Sequence, residues 1–160
     1  MKNFLNISDI NAKDLRFIIE EARLRKNSRS ELNKSSPDQD IPFDGKSMIM
    51  IFEKPSTRTR ISFDIAVKQL GGYSITLNQE GIHYGKGDES IKDTAKVFSE
   101  YADIIMIRTS LHKNLDEFAK YLNIPIINGL SDQSHPCQIM SDILTFEEYK
   151  GNIEGKTIAW

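Results

Sequence analysis

The sequence lacks three features that would assign it to common classes of protein. It has one cysteine, Cys137, in 160 residues, so no disulfide can form within the chain and a reducing compartment is favoured. No stretch approaches the roughly 18 consecutive apolar residues of a transmembrane helix. The opening residues, MKNFLNISDINAKDL, hold no apolar core of the kind that a secretory signal needs. We expect a cytoplasmic globular protein that does not bind a membrane.

A surplus of charge of one sign is also absent. The 21 Lys and Arg residues nearly balance the 23 Asp and Glu residues, and the formal net charge is -2. A chain with this balance has no overall positive field to attract nucleic acid, so a nucleic-acid partner is not expected. Any site for an anion must therefore be local. With 39% hydrophobic residues, the chain has the length and apolar content of one domain with its own core.

Apolar runs of strand length alternate with segments of helical period. The four predicted strands are Ser47 to Phe52, Tyr73 to Leu77, Asp103 to Arg108 and Ile124 to Asn128. Amphipathic segments separate them, a first helix is predicted from Asp14 to Lys26, and a last helix ends at Gly151. Ser90 and Asp93 predict a capping box. Continuous apolar strands are typical of parallel sheets, so we predict an α/β fold, a layered α/β/α domain with a central four-stranded parallel sheet flanked by helices.

Polar clusters follow three of these strands. PSTRTR (residues 55–60) follows the first strand, Arg108-Thr109-Ser110 ends the third, and HPCQ (residues 135–138) comes shortly after the fourth. The carboxyl ends of parallel strands meet at one edge of a sheet, and ligands of open α/β sheets bind at that edge. The three clusters are therefore expected to form one site.

The PSTRTR stretch has the donors that a phosphate group uses. Pro55 suits the first turn of a helix, where the N–H groups of Ser56 to Thr59 have no partner within the helix. The hydroxyls of Ser56, Thr57 and Thr59 add donors, and Arg58 can bind two oxygens of one anion. The alternative is a solvated basic helix start with serine as its cap.

The other polar residues leave alternatives open. Arg60 points to a different face from Arg58 and could instead form an internal salt bridge. Arg108 could equally be an arginine that reaches solvent from a strand end. His135 alone would be a structural histidine, but beside Gln138 it suggests a ligand contact. A buried, unreactive thiol is favoured over a nucleophile at Cys137, and no metal is expected because further soft ligands are lacking nearby.

Three stretches resemble the aspartate and ornithine carbamoyltransferases. They are FEKPSTRTRISF (52–63), DESIKDTAKVFSEYADIIMIR (88–108) and IPIINGLSDQSHPCQIMSDILT (124–145). STRTR followed downstream by HP-x-Q is highly specific for this family. HPCQ and the preceding INGL resemble the ornithine branch, whereas the aspartate branch usually has threonine in place of Cys137.

The resemblance implies a role for each polar cluster. The residues that would hold the phosphate of carbamoyl phosphate are Ser56, Thr57, Arg58 and Thr59. Arg108 and His135, together with Thr59, would donate hydrogen bonds to the carbamoyl oxygen, and Gln138 would bind the carbamoyl NH2. Arg58, Arg108 and His135 would be the catalytic residues, and the family needs no cofactor.

The resemblance also implies a reaction and a larger assembly. The ornithine branch transfers the carbamoyl group from carbamoyl phosphate to ornithine, giving citrulline and phosphate in arginine metabolism, and in the family the site lies between the subunits of a homotrimer. Residues 1–150 would form the carbamoyl-phosphate-binding domain, with residues 151–160 a linker and the first strand of a truncated ornithine-binding domain. His83, with Lys86 as a second candidate, would enter the neighbouring subunit's site, although Asp88 is an extra residue in that loop.

Because the ornithine site would be in the second domain, we expect the isolated chain to be inactive. Two alternatives to the ornithine enzyme stay open. One is the same domain of an aspartate carbamoyltransferase, in pyrimidine biosynthesis. The other is a phosphate-binding or oligomerisation module without catalytic activity.

Overall fold

The computed structural model describes residues 3–78, residue 84 and residues 89–159. Within them, a 3-10 turn at Ile7–Asp9 precedes an alternation of helices and strands. The helices are α1 (Ala12–Ser28), α2 (Thr57–Gln69), α3 (Ile91–Tyr101), α4 (His112–Tyr121) and α5 (Pro136–Lys150). The strands are β1 (Ser47–Phe52), β2 (Tyr73–Asn78), β3 (Ile104–Arg108) and β4 (Ile126–Leu130). None of the helices in these described stretches is long and apolar enough to cross a membrane.

The four strands form one parallel sheet in the order β2-β1-β3-β4. After β1 the chain first adds β2 on one side, and it then crosses back to add β3 and β4 on the other side. The connections that follow β1 and β3 therefore diverge and form a crevice at the carboxyl ends of these strands. The last residues of the two strands, Phe52 and Arg108, are register partners at this crevice.

The core lies on both faces of the central strands, and all six residues of β1 are buried. Isoleucines of β1 and β3 pack on one face against Ala95 of α3 and against Leu115 and Phe118 of α4. Methionines of the same strands pack on the other face against Val67 of α2. Helix α5 packs against β4 and against α1. The predicted α/β/α layering is thus confirmed.

Strand β2 differs from the buried strands because it lies at the edge of the sheet and pairs with β1 alone. Tyr73 and Ile75 are 53% and 44% exposed. The burial on both faces that parallel strands predict is therefore seen in the central strands and not in β2.

Strand β4 begins and ends two residues later than the sequence predicts. The N-terminal segment lies along its outer edge, where the Phe4 N–H donates to the Ile126 carbonyl at 2.8 Å. The Asn128 N–H donates back to the Phe4 carbonyl at 2.9 Å. This pairing covers the outer edge of β4, and the alternation of apolar residues alone does not reveal it.

The end of α5 agrees with the sequence, since Gly151 follows it with φ 77°. Residues 152–159 form neither helix nor strand. The prediction that residues 151–160 include the first strand of a second domain stays a prediction, because a strand is defined by pairing with a partner, and Trp160 lies outside the described residues.

Candidate active site

A pocket of about 620 Å³ lies where β1, β3 and β4 end. Its walls come from the turn into α2, the end of β3 and the turn into α5. All the residues that the sequence assigns to carbamoyl phosphate line it: Ser56, Thr57, Arg58, Thr59, Arg108, His135 and Gln138. The structure therefore brings the three polar clusters together, while the role of each residue stays a prediction.

The pocket has a positive lining in a chain of net negative charge. Arg58 and Arg108 contribute to it, and no Asp or Glu of the described residues does so. Arg58 is exposed, so its guanidinium can move to meet a ligand. This local positive charge favours an anionic ligand, although the net charge of the whole chain is negative.

The start of α2 presents backbone donors to the pocket. Ser56 is the N-cap residue, with extended backbone, and its side chain makes no capping hydrogen bond to any described residue. The first N–H groups of a helix have no acceptor within the helix, and the helix dipole is positive there. Uncapped N–H groups beside the side chains of Thr57 and Arg58 are well suited to the oxygens of a phosphate.

Arg108 connects the end of β3 to the start of α2. Its Nη1 donates to the Thr59 hydroxyl at 3.2 Å, so both side chains face the same part of the pocket. Its Nε is shielded from solvent and has no partner among the described residues. A buried guanidinium donor without an acceptor is costly, and a ligand oxygen would satisfy it.

His135 is the N-cap residue of α5 and lies near Arg108. Burial lowers the pKa of His135 below its ordinary value, the positive charge of Arg108 lowers it further, and Asp142 partly opposes both effects. The Nδ1 atom is shielded from solvent and has no partner within the described part of the chain. A neutral imidazole carries one N–H, so His135 can donate a single hydrogen bond to a ligand.

Gln138 is oriented by a carboxylate that the sequence analysis missed. Its Nε2 donates to Asp142 Oδ1 at 2.8 Å. With the amide nitrogen engaged in this way, the amide oxygen of Gln138 is the acceptor left for a ligand NH2 group. The signal in the sequence is the i, i+4 spacing of Gln138 and Asp142 on one helix face.

Cys137 lines the pocket but is poorly suited to act as a nucleophile. Burial raises the pKa of its thiol to about 11. Its Sγ lies 3.7 Å from the Asn128 carbonyl oxygen. The thiol is therefore protonated at neutral pH, as the preference for a buried, unreactive cysteine anticipated.

Leu130 is a second residue that the sequence analysis missed. It ends β4, lines the pocket and has φ 153°, in a region that residues with a side chain seldom adopt. Strained backbone of this kind tends to occur at functional sites. No feature of the sequence signals it, because leucine has no preference for that conformation.

Arg60, for which the sequence left two roles open, does not line the pocket. Arg60 donates to the Asn78 side chain and lies over the Phe52 ring, 5.4 Å from its centre. It thus points away from Arg58, and its partner is an amide rather than the carboxylate of a salt bridge. His83 and Lys86 lie outside the described residues.

Residues 2–148 match the family described as "Aspartate/ornithine carbamoyltransferase, carbamoyl-P binding domain". The chain therefore belongs to this family, as its sequence motifs predicted. It is 48% identical to the ornithine carbamoyltransferase of Paracoccus denitrificans over 160 residues, covering 100% of this chain and 52% of that protein. It is 51% identical to that of Rhizobium meliloti over 159 residues, covering 99% of this chain and 50% of that protein.

Solved structures agree with this assignment. The ornithine carbamoyltransferase from Burkholderia thailandensis superposes with a TM-score of 0.90 at 36% identity, over 100% of this chain and 53% of that one. The enzyme from Pyrococcus furiosus gives a TM-score of 0.87 at 42% identity, over 96% and 47% of the two chains. The chain thus spans about half the length of the relatives it matches.

Proposed function

We propose that the pocket binds carbamoyl phosphate and that the chain supplies the carbamoyl-phosphate-binding half of an ornithine carbamoyltransferase. Residues 1–150 would form this domain, and residues 151–160 would lead into an ornithine-binding domain. The observation that carries the proposal is the pocket lining, which combines an uncapped helix start with Arg58 and Arg108. The names of the relatives support ornithine as the acceptor.

The phosphate group binds at the start of α2 in this proposal. The N–H groups of that turn and the hydroxyls of Ser56, Thr57 and Thr59 donate to its oxygens, and Arg58 binds two of them. The carbamoyl oxygen accepts from Arg108 and from the neutral imidazole of His135.

The carbamoyl transfer then follows from these contacts. The amine of ornithine attacks the carbamoyl carbon, and negative charge grows on the carbonyl oxygen, where Arg108 and His135 stabilise it. The bond from the carbon to the bridging oxygen breaks, and phosphate leaves with the electron pair. Arg58 and the start of α2 stabilise the charge that the phosphate gains, and the attacking nitrogen loses a proton. Gln138 accepts from the carbamoyl NH2 and fixes the orientation of the group for attack.

Isothermal titration calorimetry with phosphonoacetamide, in which a methylene replaces the bridging oxygen of carbamoyl phosphate, tests the binding step. Arg58→Ala is expected to weaken binding by about a hundredfold, because a charge-assisted bidentate contact is lost. Arg60→Ala is the matched control, since it removes an arginine two residues away that does not line the pocket. Equal affinities of Arg58→Ala and the unsubstituted chain would refute the proposed site.

We further propose that the full-length protein is a homotrimer, in which His83 or Lys86 of one subunit completes the site of the next. The exposed apolar side chains of Ile61, Tyr73 and Ile75 support a subunit interface on the β2 side of the domain. Sedimentation equilibrium of the full-length protein is expected to give three times the subunit mass. A monomer at every concentration would contradict this proposal.

A further inference from the structure

A carboxylate just outside the pocket joins two of its walls. Glu53 follows β1 directly and lies three residues before Ser56, where α2 is about to begin. Its Oε2 accepts from the Thr109 hydroxyl at 2.5 Å and from the Ser110 N–H at 3.3 Å. Both donors lie immediately after Arg108, in the connection from β3 to α4.

The other oxygen of Glu53 binds two more donors. The Tyr84 hydroxyl donates to Oε1 at 2.8 Å, and the Asn114 amide donates to it at 3.3 Å. Tyr84 is 6% exposed, and its ring meets that of Phe118 edge to face with centroids 5.0 Å apart. Burial and the adjacent Glu53 raise the pKa of Tyr84, so its hydroxyl remains a donor at neutral pH. Glu53 thus accepts from four uncharged donors.

The backbone of Glu53 holds Arg108 as well. Its N–H donates to the Arg108 carbonyl at 3.0 Å. On the other side of β3, the register with β4 shifts between Ile107 and Arg108. The regular ladder is therefore disturbed on that side at the residue that carries the guanidinium. The contacts of Glu53 compensate, because they hold the peptide groups on both sides of Thr109.

We propose that Glu53 is a positioning residue, which holds the Arg108 turn at a fixed distance from the start of α2. This inference rests on the proposed function, in which Arg108 binds the carbamoyl oxygen while α2 binds the phosphate. A ligand that contacts both walls needs the correct distance between them, whereas inorganic phosphate needs the start of α2 alone. Loss of Glu53 should therefore affect the two ligands unequally.

Calorimetry with phosphonoacetamide and with inorganic phosphate measures this difference. Glu53→Ala is expected to weaken phosphonoacetamide binding about tenfold and to change phosphate binding less than about twofold. Glu53→Gln keeps an acceptor for Thr109 and Ser110 and should restore most of the affinity. Glu117→Ala, at an exposed glutamate of α4, is the matched control. An equal loss for both ligands, or no loss for either, would overturn the inference.

The ¹⁵N signal of the Arg108 Nε–H group tests the positioning without a ligand. The signal is assigned as the one that disappears in Arg108→Lys. We expect it to shift or broaden in Glu53→Ala and to stay in place in Glu53→Gln and Glu117→Ala. An unmoved signal in a folded Glu53→Ala would overturn the inference even if the chain binds both ligands. If Glu53→Ala does not fold, Thr109→Val, which removes the nearest donor and keeps the shape, should move the signal in the same direction.

The proposed function fails separately. It fails if the unsubstituted chain binds phosphonoacetamide no more tightly than inorganic phosphate. In that case the ¹⁵N signal of Arg108 still tests whether Glu53 positions Arg108, because it is measured without a ligand.

Discussion

Helices α2 and α3 both begin at a serine with extended backbone, yet the two starts are built differently. At α3, the Ser90 hydroxyl oxygen accepts from the Asp93 N–H at 3.1 Å, and the hydroxyl donates to the Asp93 carboxylate at 2.7 Å. At α2, Ser56 makes no capping hydrogen bond to a described residue, and the position equivalent to Asp93 is Thr59. The start of α3 is capped by its own side chains, whereas the N–H groups at the start of α2 remain available to a ligand.

The remaining helices in the described part of the chain follow the same division. Asn11 caps α1 by accepting from the Asp14 N–H, and Asp132 accepts from the His112 N–H at the start of α4. Helix α5 begins at His135 and Pro136 with no side-chain cap from the described residues. Among the described residues, no side chain accepts from the first N–H groups of α2 and α5, and these are the two helix starts that line the pocket.

This difference between the helix starts fits the anion site proposed for the pocket. An N-cap side chain typically contributes about 1 kcal/mol of stability. A positive side chain such as Arg58 in the first turn opposes the helix dipole and so lowers stability. The starts of α2 and α5 therefore give up stability that an anionic ligand would restore on binding.

The substitution with the largest expected effect makes α2 resemble α3. Thr59→Asp would create the Ser-x-x-Asp pattern of Ser90 and Asp93 at the start of α2. The new carboxylate would cap the helix and accept from Arg108, so phosphonoacetamide binding should weaken by more than about a hundredfold. The free energy of unfolding should rise by about 1 kcal/mol, measured by urea denaturation.

The reciprocal substitution is its control. Asp93→Thr should lower the free energy of unfolding and leave the affinity for phosphonoacetamide unchanged, because α3 begins away from the pocket. Undiminished binding by Thr59→Asp would show that the start of α2 takes no part in holding the anion.

A smaller effect separates the two serines themselves. Ser90→Ala should lower the free energy of unfolding by about 1 kcal/mol, because two hydrogen bonds of the capping box are lost. Ser56→Ala should change it by less than about 0.5 kcal/mol, since Ser56 has no such bonds to described residues. The affinity for phosphate should respond in the opposite order. Urea denaturation and calorimetry of both variants give the comparison, and equal stability losses would contradict it.

Much of this division could be predicted from the sequence. The capping box of Ser90 and Asp93 is local, and so are the bounds of β1, which are confirmed to the residue. The gathering of Arg108, His135 and the PSTRTR stretch in one pocket follows from a general property of parallel sheets, whose strand ends share an edge. This prediction depends on the topology of the sheet and not on the orientation of individual side chains.

What the sequence could not predict depends on contacts between distant segments. The two-residue displacement of β4 comes with its pairing to Phe4, more than a hundred positions away. The network around Glu53 joins residues 31 to 61 positions apart. The exposure of β2 follows from the order of strands, which is set by the whole sheet rather than by the strand's own residues.

The smallest expected effect concerns pH and the other uncapped start, that of α5. The folded protein lowers the pKa of His135 from its ordinary value of 6.5, so it takes up a proton there less readily than the unfolded chain does. As the pH falls below 6.5, the unfolded state gains protons first, and the stability attributable to His135 is lost as pH falls toward the folded-state pKa.

His135→Gln should remove this part of the pH dependence, while Ser141→Ala, a pocket substitution without a titrating group, should retain it. Melting temperatures of the three proteins at a series of pH values between about 5 and 8 measure the difference, since the ordinary pKa of histidine lies within that range. A constant gap between the unsubstituted protein and His135→Gln would mean that His135 titrates alike in the folded and unfolded states, and that neither burial nor the charge of Arg108 lowers its pKa at the start of α5.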